Sequence, residues 1–184
     1  MITKFKLFEK LYNIDALFGS VLLNKINNIK EYINNGGDIN LTFETGENML
    51  MVAARNGYTN FVKYLIEEGI DLNMIDYLNR TTIILLCSVN LISNSKEIVK
   101  LIIDADADIN ITDINNQTAL YHAALKNEME LVDLLIDTDW TILNNQNKSF
   151  YDVLSDLNQK YIRNQYPEKY YEYMKKINIK KFKI

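Results

Sequence analysis

The 184-residue chain contains only one cysteine, one proline and one histidine. Cys87 has no second cysteine to pair with, so an internal disulfide is excluded, which fits a reducing compartment. A nucleophilic triad needs a histidine with suitable partners, and the single His122 follows Tyr121 in a helical pattern that favours a packed residue. The sequence also has no glycine-rich phosphate loop and no Cys/His metal spacing. We therefore expect a protein that is not an enzyme and has no metal or cofactor.

Long apolar runs are absent as well. No stretch of 18 or more apolar residues occurs, so we expect no transmembrane helix. Charges interrupt the first fifteen residues, so we expect no secretory signal and a cytoplasmic location. The abundance of Asn, Ile, Lys and Tyr is typical of AT-rich genomes such as those of bacteria or large viruses, which leaves action inside a host cell open.

A seven-residue segment that finishes on Asp-x-Asn, here called the ending of a repeat, recurs along the chain. It reads NNGGDIN at 34–40, EEGIDLN at 67–73 and DADADIN at 104–110, with a degenerate copy, DTDWTIL, at 137–143. The aligned positions Gly36, Gly69, Asp106 and Asp139 are 33, 37 and 33 residues apart. Apolar residues at helical spacing precede each ending, and a second helical pattern with small core residues lies further upstream. The sequence therefore predicts stacked helix pairs that share one continuous core.

The third copy also resembles the start of a calcium-binding loop. Asp104, Asp106 and Asp108 have the spacing of the first EF-hand ligands. However, Ile109 and Asn115 stand where that loop requires a glycine and a bidentate glutamate. We expect no calcium site, because the repeat explains these aspartates.

Polar turns are predicted between the helix pairs. Asp76 and Asp113 open the segments DYLNRT and DINNQT, and Thr81 and Thr118 stand directly before the next helices. A threonine hydroxyl accepts hydrogen bonds from the free N–H groups of a first helical turn, so both threonines are predicted N-caps. Gly57 separates two helices and is predicted to adopt the left-handed conformation that ends the first of them.

On these residues, the sequence resembles the ankyrin repeat family. GENMLMVAARNGYTNFVKYLIEEGIDLN at 46–73 and DINNQTALYHAALKNEMELVDLLIDTD at 113–139 match most of the family pattern. The resemblance implies an all-α fold, an ankyrin-repeat α-solenoid of stacked helix-turn-helix units with hairpin loops and helical end caps. The chain departs from the pattern at the family's histidine, which is replaced by Phe18, Met51, Ile84 and Tyr121, so we expect apolar contacts there. The third unit has four extra residues in 88–97, which predicts a longer first helix or a bulged loop.

The predicted organisation has three parts. Residues 1–14 form an N-terminal capping helix, and residues 15–157 form the repeats, with units at about 15–40, 41–73, 74–110, 111–143 and a partial unit at 144–157. In the partial unit Ser149 is the predicted helix cap, and Trp140 is predicted to seal an interface. Residues 158–184 form a basic, tyrosine-rich C-terminal helix or tail, with eight Lys or Arg and two Glu in 157–184.

The resemblance implies a non-catalytic protein–protein interaction module that binds a partner protein on the concave face of hairpins and first helices. Carried onto this chain, the partner-binding positions are Glu44, Glu47, Arg55, Asn56, Tyr77, Leu78, Arg80, Ile114, Asn115, Gln117 and Lys126. The apolar tip residues Tyr77, Leu78 and Ile114 either pack against a neighbouring hairpin or contact a partner. Arg55 and Arg80 are expected to fix the register and to favour acidic groups on that partner.

The tail offers an alternative site. Pro167 is predicted to start a helix that places Tyr170, Tyr171 and Met174 on one face, opposite lysines. Such a helix caps the solenoid, docks on the acidic body, or acts as a nucleic-acid or membrane-surface adaptor. We expect the capping role, an unidentified protein as partner, no nucleic acid or membrane partner, and a monomer.

Overall fold

The computed structural model describes residues 13–89 and 93–181, and the side chains up to Ile177. These residues form ten α-helices and one short 3-10 helix, with no extended strand. The helices are α1 (Ile14–Leu22), α2 (Ile26–Asn34), α3 (Met49–Arg55), α4 (Thr59–Glu67), α5 (Thr82–Ser88), α6 (Ser95–Asp104), α7 (Ala119–Leu125), α8 (Met129–Leu134), α9 (Asp156–Gln165) and α10 (Pro167–Lys181), with the 3-10 helix at Tyr151–Val153. The predicted N-terminal capping helix at 1–14 lies almost wholly outside the described residues.

The helices stack as pairs in chain order. Unit 1 contains α1 and α2, unit 2 contains α3 and α4, unit 3 contains α5 and α6, and unit 4 contains α7 and α8. The first helices α1, α3, α5 and α7 contact one another in sequence, and α4, α6 and α8 form a second row. This arrangement confirms the predicted all-α ankyrin solenoid.

The first helices of units 2 to 4, each seven residues long, are buried on nearly every side. Met49 to Ala54 of α3 are all inaccessible to solvent, as are Ala123 and Ala124 of α7. Helices that are apolar all round belong in a core, and the small alanines let neighbouring helices approach closely. Cys87 occupies the corresponding slot of α5 and is also buried, as predicted.

Each of the buried first helices begins at a side-chain cap. The side chains of Asn48, Thr81 and Thr118 accept hydrogen bonds from the N–H groups of the residues three positions later, at 2.9, 3.4 and 3.2 Å. The predicted caps Thr81 and Thr118 are thus confirmed. Gly57 has a φ of 75°, so its predicted left-handed conformation is confirmed too.

The recurring Asp-x-Asn ending links one unit to the next. Asn40 accepts a hydrogen bond through Oδ1 from the backbone N–H of Asp71, at 2.9 Å. Asn73 accepts in the same way from Asp108, at 2.9 Å, and Asn110 accepts from Asp139, at 2.7 Å. We call Asn40, Asn73 and Asn110 the asparagine ladder. Each bond joins the asparagine of one ending to the backbone of the next ending. The endings must therefore occupy the same position in every unit, which explains why this sequence recurs.

The extra residues of the third unit do not lengthen its first helix. Helix α5 has seven residues, like α3 and α7, so the insertion lies in the connection before α6. Residues 90–92 of that connection lie outside the described residues. On its far side, Asn94 donates a hydrogen bond from Nδ2 to the carbonyl of Gly57, at 3.1 Å, which ties the connection to unit 2.

The C-terminal end of the solenoid is closed by an aromatic cluster. Trp140 is buried, with its ring centroid 5.0 Å from that of Phe150 and 6.1 Å from that of Tyr173, so its predicted place in an interface is confirmed. The expected helix after Ser149 is wrong in extent. Only the 3-10 turn Tyr151–Val153 forms there, and Ser149 donates from both N and Oγ to the Asp152 carboxylate at 2.9 Å.

Helix α10 starts at Pro167, as predicted, but the centre of its buried face differs from the predicted one. Tyr173 and Ile177 are buried, whereas Tyr171 is 69% exposed. Residues spaced by three or four positions share a face of a helix, so Tyr170 and Met174 pack partly buried on the same face as Tyr173 and Ile177, and only Tyr171 lies off it. In the part of the chain that is described, none of the helices is long and apolar enough to cross a bilayer.

The basic tail also docks on the acidic body. Lys169 forms an ion pair with Asp137 and donates to the carbonyl of Ile136 at 3.1 Å. Tyr161 and Tyr166 both donate to the carboxylate of Asp133, at 2.9 Å each. Burial and the bond to Asp133 raise the pKa of Tyr166, because ionising this phenol would place a second anion beside the carboxylate.

Candidate partner-binding face

A row of hairpin turns projects from the N-terminal ends of the first helices. Each turn closes through a hydrogen bond from the N–H of its first residue to the carbonyl of its fifth residue, with distances of 2.8 to 3.1 Å. The turns lie at 43–47, 76–80, 113–117 and 144–148. Their fourth residues, Gly46, Asn79, Asn116 and Asn147, all have φ between 56 and 77°. Glycine and asparagine tolerate this left-handed backbone best, so the sequence favours the same turn at all four places.

The first side chain of three turns holds the tip in place. Oδ1 of Asp76 accepts from the N–H groups of Leu78 and Arg80, both at 2.9 Å. Asp113 accepts in the same way from Asn115 and Gln117, which confirms the turn-opening role predicted for Asp76 and Asp113. Asn144 repeats this arrangement in the last turn, where sequence reasoning did not identify it.

The predicted arginines are paired within their own units. Arg80 donates to Oδ2 of Asp76 from Nε at 2.9 Å and from its terminal nitrogen at 2.7 Å. Burial alone would raise the pKa of the Asp76 carboxyl, but the hydrogen bonds from Arg80 and from the backbone outweigh it and lower the pKa. Arg55 binds Glu47 through two bonds, of 2.8 and 3.2 Å, and Glu47 is buried. Both arginines therefore support the hairpins of this chain, and both keep a partly exposed edge.

The histidine is paired in the same region. His122 Nε2 lies 2.9 Å from Oδ2 of Asp113, so Asp113 joins the hairpin of unit 4 to its first helix. The expectation of apolar contacts at the family's histidine position is wrong for Tyr121. Asn144 donates from Nδ2 to the Tyr121 hydroxyl at 2.9 Å, so a hydrogen bond between neighbouring turns is present. The sequence signal for this bond is the amide of Asn144 at the hairpin position where units 3 and 4 have Asp76 and Asp113, and it is recognised only in retrospect.

The apolar tip residues both pack against neighbouring hairpins and keep surface exposed to solvent, so neither of the two sequence-based alternatives is excluded. Tyr77 is 75% exposed, yet one side of its ring packs on Gly46 of the preceding hairpin. The contact is so close that a Cβ atom at position 46 would lie 2.9 Å from the ring. Leu78 and Ile114 are 44% and 51% exposed, and the Ile114 N–H donates to the carbonyl of Leu78 at 3.0 Å. Three large apolar side chains thus stand on adjacent, hydrogen-bonded tips with much of their surface in solvent.

The remaining predicted residues differ in how accessible they are. Glu44 and Asn115 are exposed at the tips, and Lys126 is exposed at the end of α7, where its Nζ donates to the carbonyl of Val89. Gln117 is half-buried beside Asp113. Asn56 uses its side-chain amide to bind the carbonyl of Val52 at 2.7 Å. We call the tips of the four turns and the C-terminal ends of α3, α5 and α7 the hairpin face.

Metal-ligand side chains do not cluster within the described residues, and the single cysteine is buried. No group of three His, Cys, Asp or Glu side chains within them is placed to hold a metal ion. Asp104 of the EF-hand-like segment pairs with Lys100 at 2.8 Å. Burial raises the pKa of the Cys87 thiol to about 12, so the thiolate that a nucleophile requires is not populated near neutral pH.

Comparison with known proteins identifies the class to which this fold belongs. The family described as Ankyrin repeats (3 copies) matches residues 17–113 and 89–158, which is well over half of the chain. The chain belongs to the ankyrin repeat family. Proteins of this family are generally protein–protein interaction modules and are typically not enzymes.

A curated viral protein is similar to part of the chain. It is the putative ankyrin repeat protein L371 of Acanthamoeba polyphaga mimivirus, which is 29% identical over 125 residues. The matched region covers 68% of this chain and 16% of that protein, so the chain spans about one sixth of its relative's length.

Proposed function

We propose that the chain binds a partner protein through the hairpin face. The observation that carries this proposal is the exposure of Tyr77, Leu78 and Ile114 on neighbouring tips that hydrogen bonds hold in one geometry. Exposed apolar side chains that are grouped and fixed in place are typical of interaction sites, and tyrosine is enriched among the residues that dominate binding energy. A rigid tip loses little conformational entropy on binding, which favours affinity.

The polar residues around this apolar centre have supporting roles. Arg80 and Arg55 hold their hairpins through Asp76 and Glu47, and their partly exposed guanidinium edges remain available to a partner. Because each cation already faces a carboxylate, the arginines give the partner no strong requirement for acidic groups. The affinity is therefore expected to depend mainly on apolar burial, with polar contacts that orient the partner.

The basic tail is the weaker candidate for binding nucleic acid or a membrane surface. Single-stranded nucleic acid binding combines cations with aromatic rings that are free to stack on bases. In the tail, Tyr173 is buried against Trp140 and Lys169 is paired with Asp137. These groups contribute to the cap, which favours the structural role of α9 and α10.

The test starts by capturing the partner from native cells and identifying it by mass spectrometry. The affinity of the purified partner is then measured by calorimetry for three variants of the chain. The first replaces Tyr77, Leu78 and Ile114 with alanine, and we expect about a 100-fold loss of affinity, since exposed anchor residues are worth about 1 kcal/mol each. The second replaces the exposed residues Leu157 and Tyr171 with alanine, which removes apolar surface outside the hairpin face and should leave the affinity unchanged.

The third variant, Lys175→Glu with Lys176→Glu, reverses two exposed charges of α10 without disturbing its buried face. We expect it to bind the partner like the wild type. A loss of affinity in this variant alone, with binding that weakens steeply as salt is added, would transfer the function to the tail and contradict the proposal.

A further inference from the structure

The hairpin face has an uneven distribution of charge. Glu44 is exposed on the tip of unit 2, and Lys148 is exposed on the last turn. Within the described part of the chain, neither side chain forms an ion pair with a residue of opposite charge. Lys126, at the end of α7, adds a second exposed cation near unit 4, because its Nζ donates to a neutral carbonyl and, among the described residues, no carboxylate forms an ion pair with it.

The other charges of the face cancel or are covered. Glu47 pairs with Arg55 and Asp76 pairs with Arg80. Asp113 is buried under its own turn, where it meets His122 and two backbone N–H groups. The face therefore has an anionic end at unit 2, an uncharged centre formed by Tyr77, Leu78 and Ile114, and a cationic end at unit 4 and the last turn, 144–148.

We propose that the partner of the hairpin face is a protein segment with an apolar centre, a basic group at the end that meets Glu44 and an acidic group at the end that meets Lys148. This proposal rests on the function proposed above. Like charges placed together oppose binding, so the two ends select both the partner and its direction along the row.

The dimensions of the solenoid limit the length of this segment. Three unit steps separate the turn of Glu44 from that of Lys148, and neighbouring packed helices are about 8 to 10 Å apart, which gives roughly 25 to 30 Å in total. An extended chain rises about 3.3 Å per residue, so about eight or nine residues span the distance between the two charges. The apolar residues of the partner then fall in the middle third of that segment.

The test uses a displayed library of random twelve-residue peptides selected on the wild-type chain and on charge variants. On the wild type we expect enriched peptides with one basic end, one acidic end and an apolar centre. Glu44→Lys makes both ends of the face cationic and should enrich peptides that are acidic at both ends. Lys148→Glu leaves that end of the face with one cation, Lys126, and one anion, so the enrichment of acidic residues at the matching end of the peptides should be lost. This comparison does not depend on the direction in which a peptide binds.

Matched controls separate local charge from net charge. Glu67→Lys on α4 and Lys160→Glu on α9 alter exposed residues outside the hairpin face. They change the net charge of the chain by the same amount as Glu44→Lys and Lys148→Glu, respectively. Synthetic peptides from the wild-type selection should bind Glu44→Lys about two- to fivefold more weakly than wild type, the effect of one exposed ion pair, and should bind Glu67→Lys unchanged. Equal effects of Glu44→Lys and Glu67→Lys would overturn the proposal.

The same selection distinguishes this proposal from the function on which it rests. If binding of the enriched peptides requires Tyr77 and Ile114 but their charge pattern ignores Glu44→Lys and Lys148→Glu, the face binds a partner and the charge proposal is wrong. If their binding survives replacement of Tyr77, Leu78 and Ile114 by alanine, or if the wild type enriches no peptides beyond that triple variant, both proposals fail.

Discussion

Replacing Asn144 with alanine should destabilise the C-terminal half of the solenoid. The side chain is buried and makes three hydrogen bonds of 2.9 Å, from the N–H groups of Gln146 and Lys148 and to the hydroxyl of Tyr121. An average net contribution of about 1 kcal/mol per bond gives a loss of about 2 to 4 kcal/mol in the free energy of unfolding. This is a large part of the stability of a typical domain.

Two further substitutions divide this loss between the turn and the link to unit 4. Asn144→Asp keeps both acceptor bonds, as Asp76 does in its own turn, and the Tyr121 hydroxyl can then donate to the carboxylate. We expect it to change the free energy of unfolding by less than about 1 kcal/mol. Tyr121→Phe removes the link together with the hydrogen bond between the hydroxyl and Gln117, and should cost about 1 to 2 kcal/mol, because Nδ2 of the buried amide then loses its acceptor.

The assay is equilibrium unfolding in urea with two signals. Far-ultraviolet circular dichroism reports the whole solenoid, and the fluorescence of Trp140, the single tryptophan, reports its buried C-terminal cluster. Repeat proteins can lose units separately, so the two transitions must coincide before a free energy is assigned. The reasoning is refuted if Asn144→Ala costs less than about 0.5 kcal/mol, or if Asn144→Asp is as harmful as alanine.

Three other outcomes are expected. Asn73→Ala removes the ladder bond to Asp108 and should lower the free energy of unfolding by about 0.5 to 1.5 kcal/mol in urea, and no change would contradict a structural role of the ladder. Gly46→Ala should cost about 1 to 2 kcal/mol and lower the melting temperature, because φ is +77° and the new methyl group meets the Tyr77 ring. An unchanged melting temperature would contradict both the backbone strain and the contact with the ring. Burial raises the pKa of Tyr151 to about 12 from an ordinary value near 10, so the folded state retains this proton more tightly than the unfolded chain. The contribution of Tyr151 to the free energy of unfolding is therefore fully present below pH 10 and is lost as the pH rises toward 12. A Tyr151→Phe variant that loses stability as steeply as the wild type over this range would disprove the assignment.

The fold was predictable because it depends on local patterns that recur. Apolar spacing, small residues in the first helices and a period of 33 residues define one unit, and one unit cannot bury its own apolar surface. Thr81 and Thr118 were predictable as caps because their bonds reach only three residues along the chain. The left-handed backbone of Gly57 follows for the same reason, since a helix end is a local feature.

The candidate site was predictable in position but not in detail. The placement of Tyr77, Leu78 and Ile114 on exposed tips follows from their place in the repeat. That Arg80 and Arg55 pair within their own units does not, because a long side chain chooses its partner from whatever the folded structure places within reach. The roles expected for these arginines with a partner remain predictions.

The sequence by itself determined the repeat, its helix pairs and the row of turns, because each of these depends on the identities of residues close together in the chain. Only the tertiary structure decided which contacts join the units. The link from Asn144 to Tyr121 spans 23 positions, and the contact of Tyr173 with Ser149 spans 24. The tertiary structure also decided that α10 buries Tyr173 in place of Tyr171. Contacts between distant residues depend on rotamers, on the exact stacking of the units and on competition for the same core space, and none of these is contained in a local pattern.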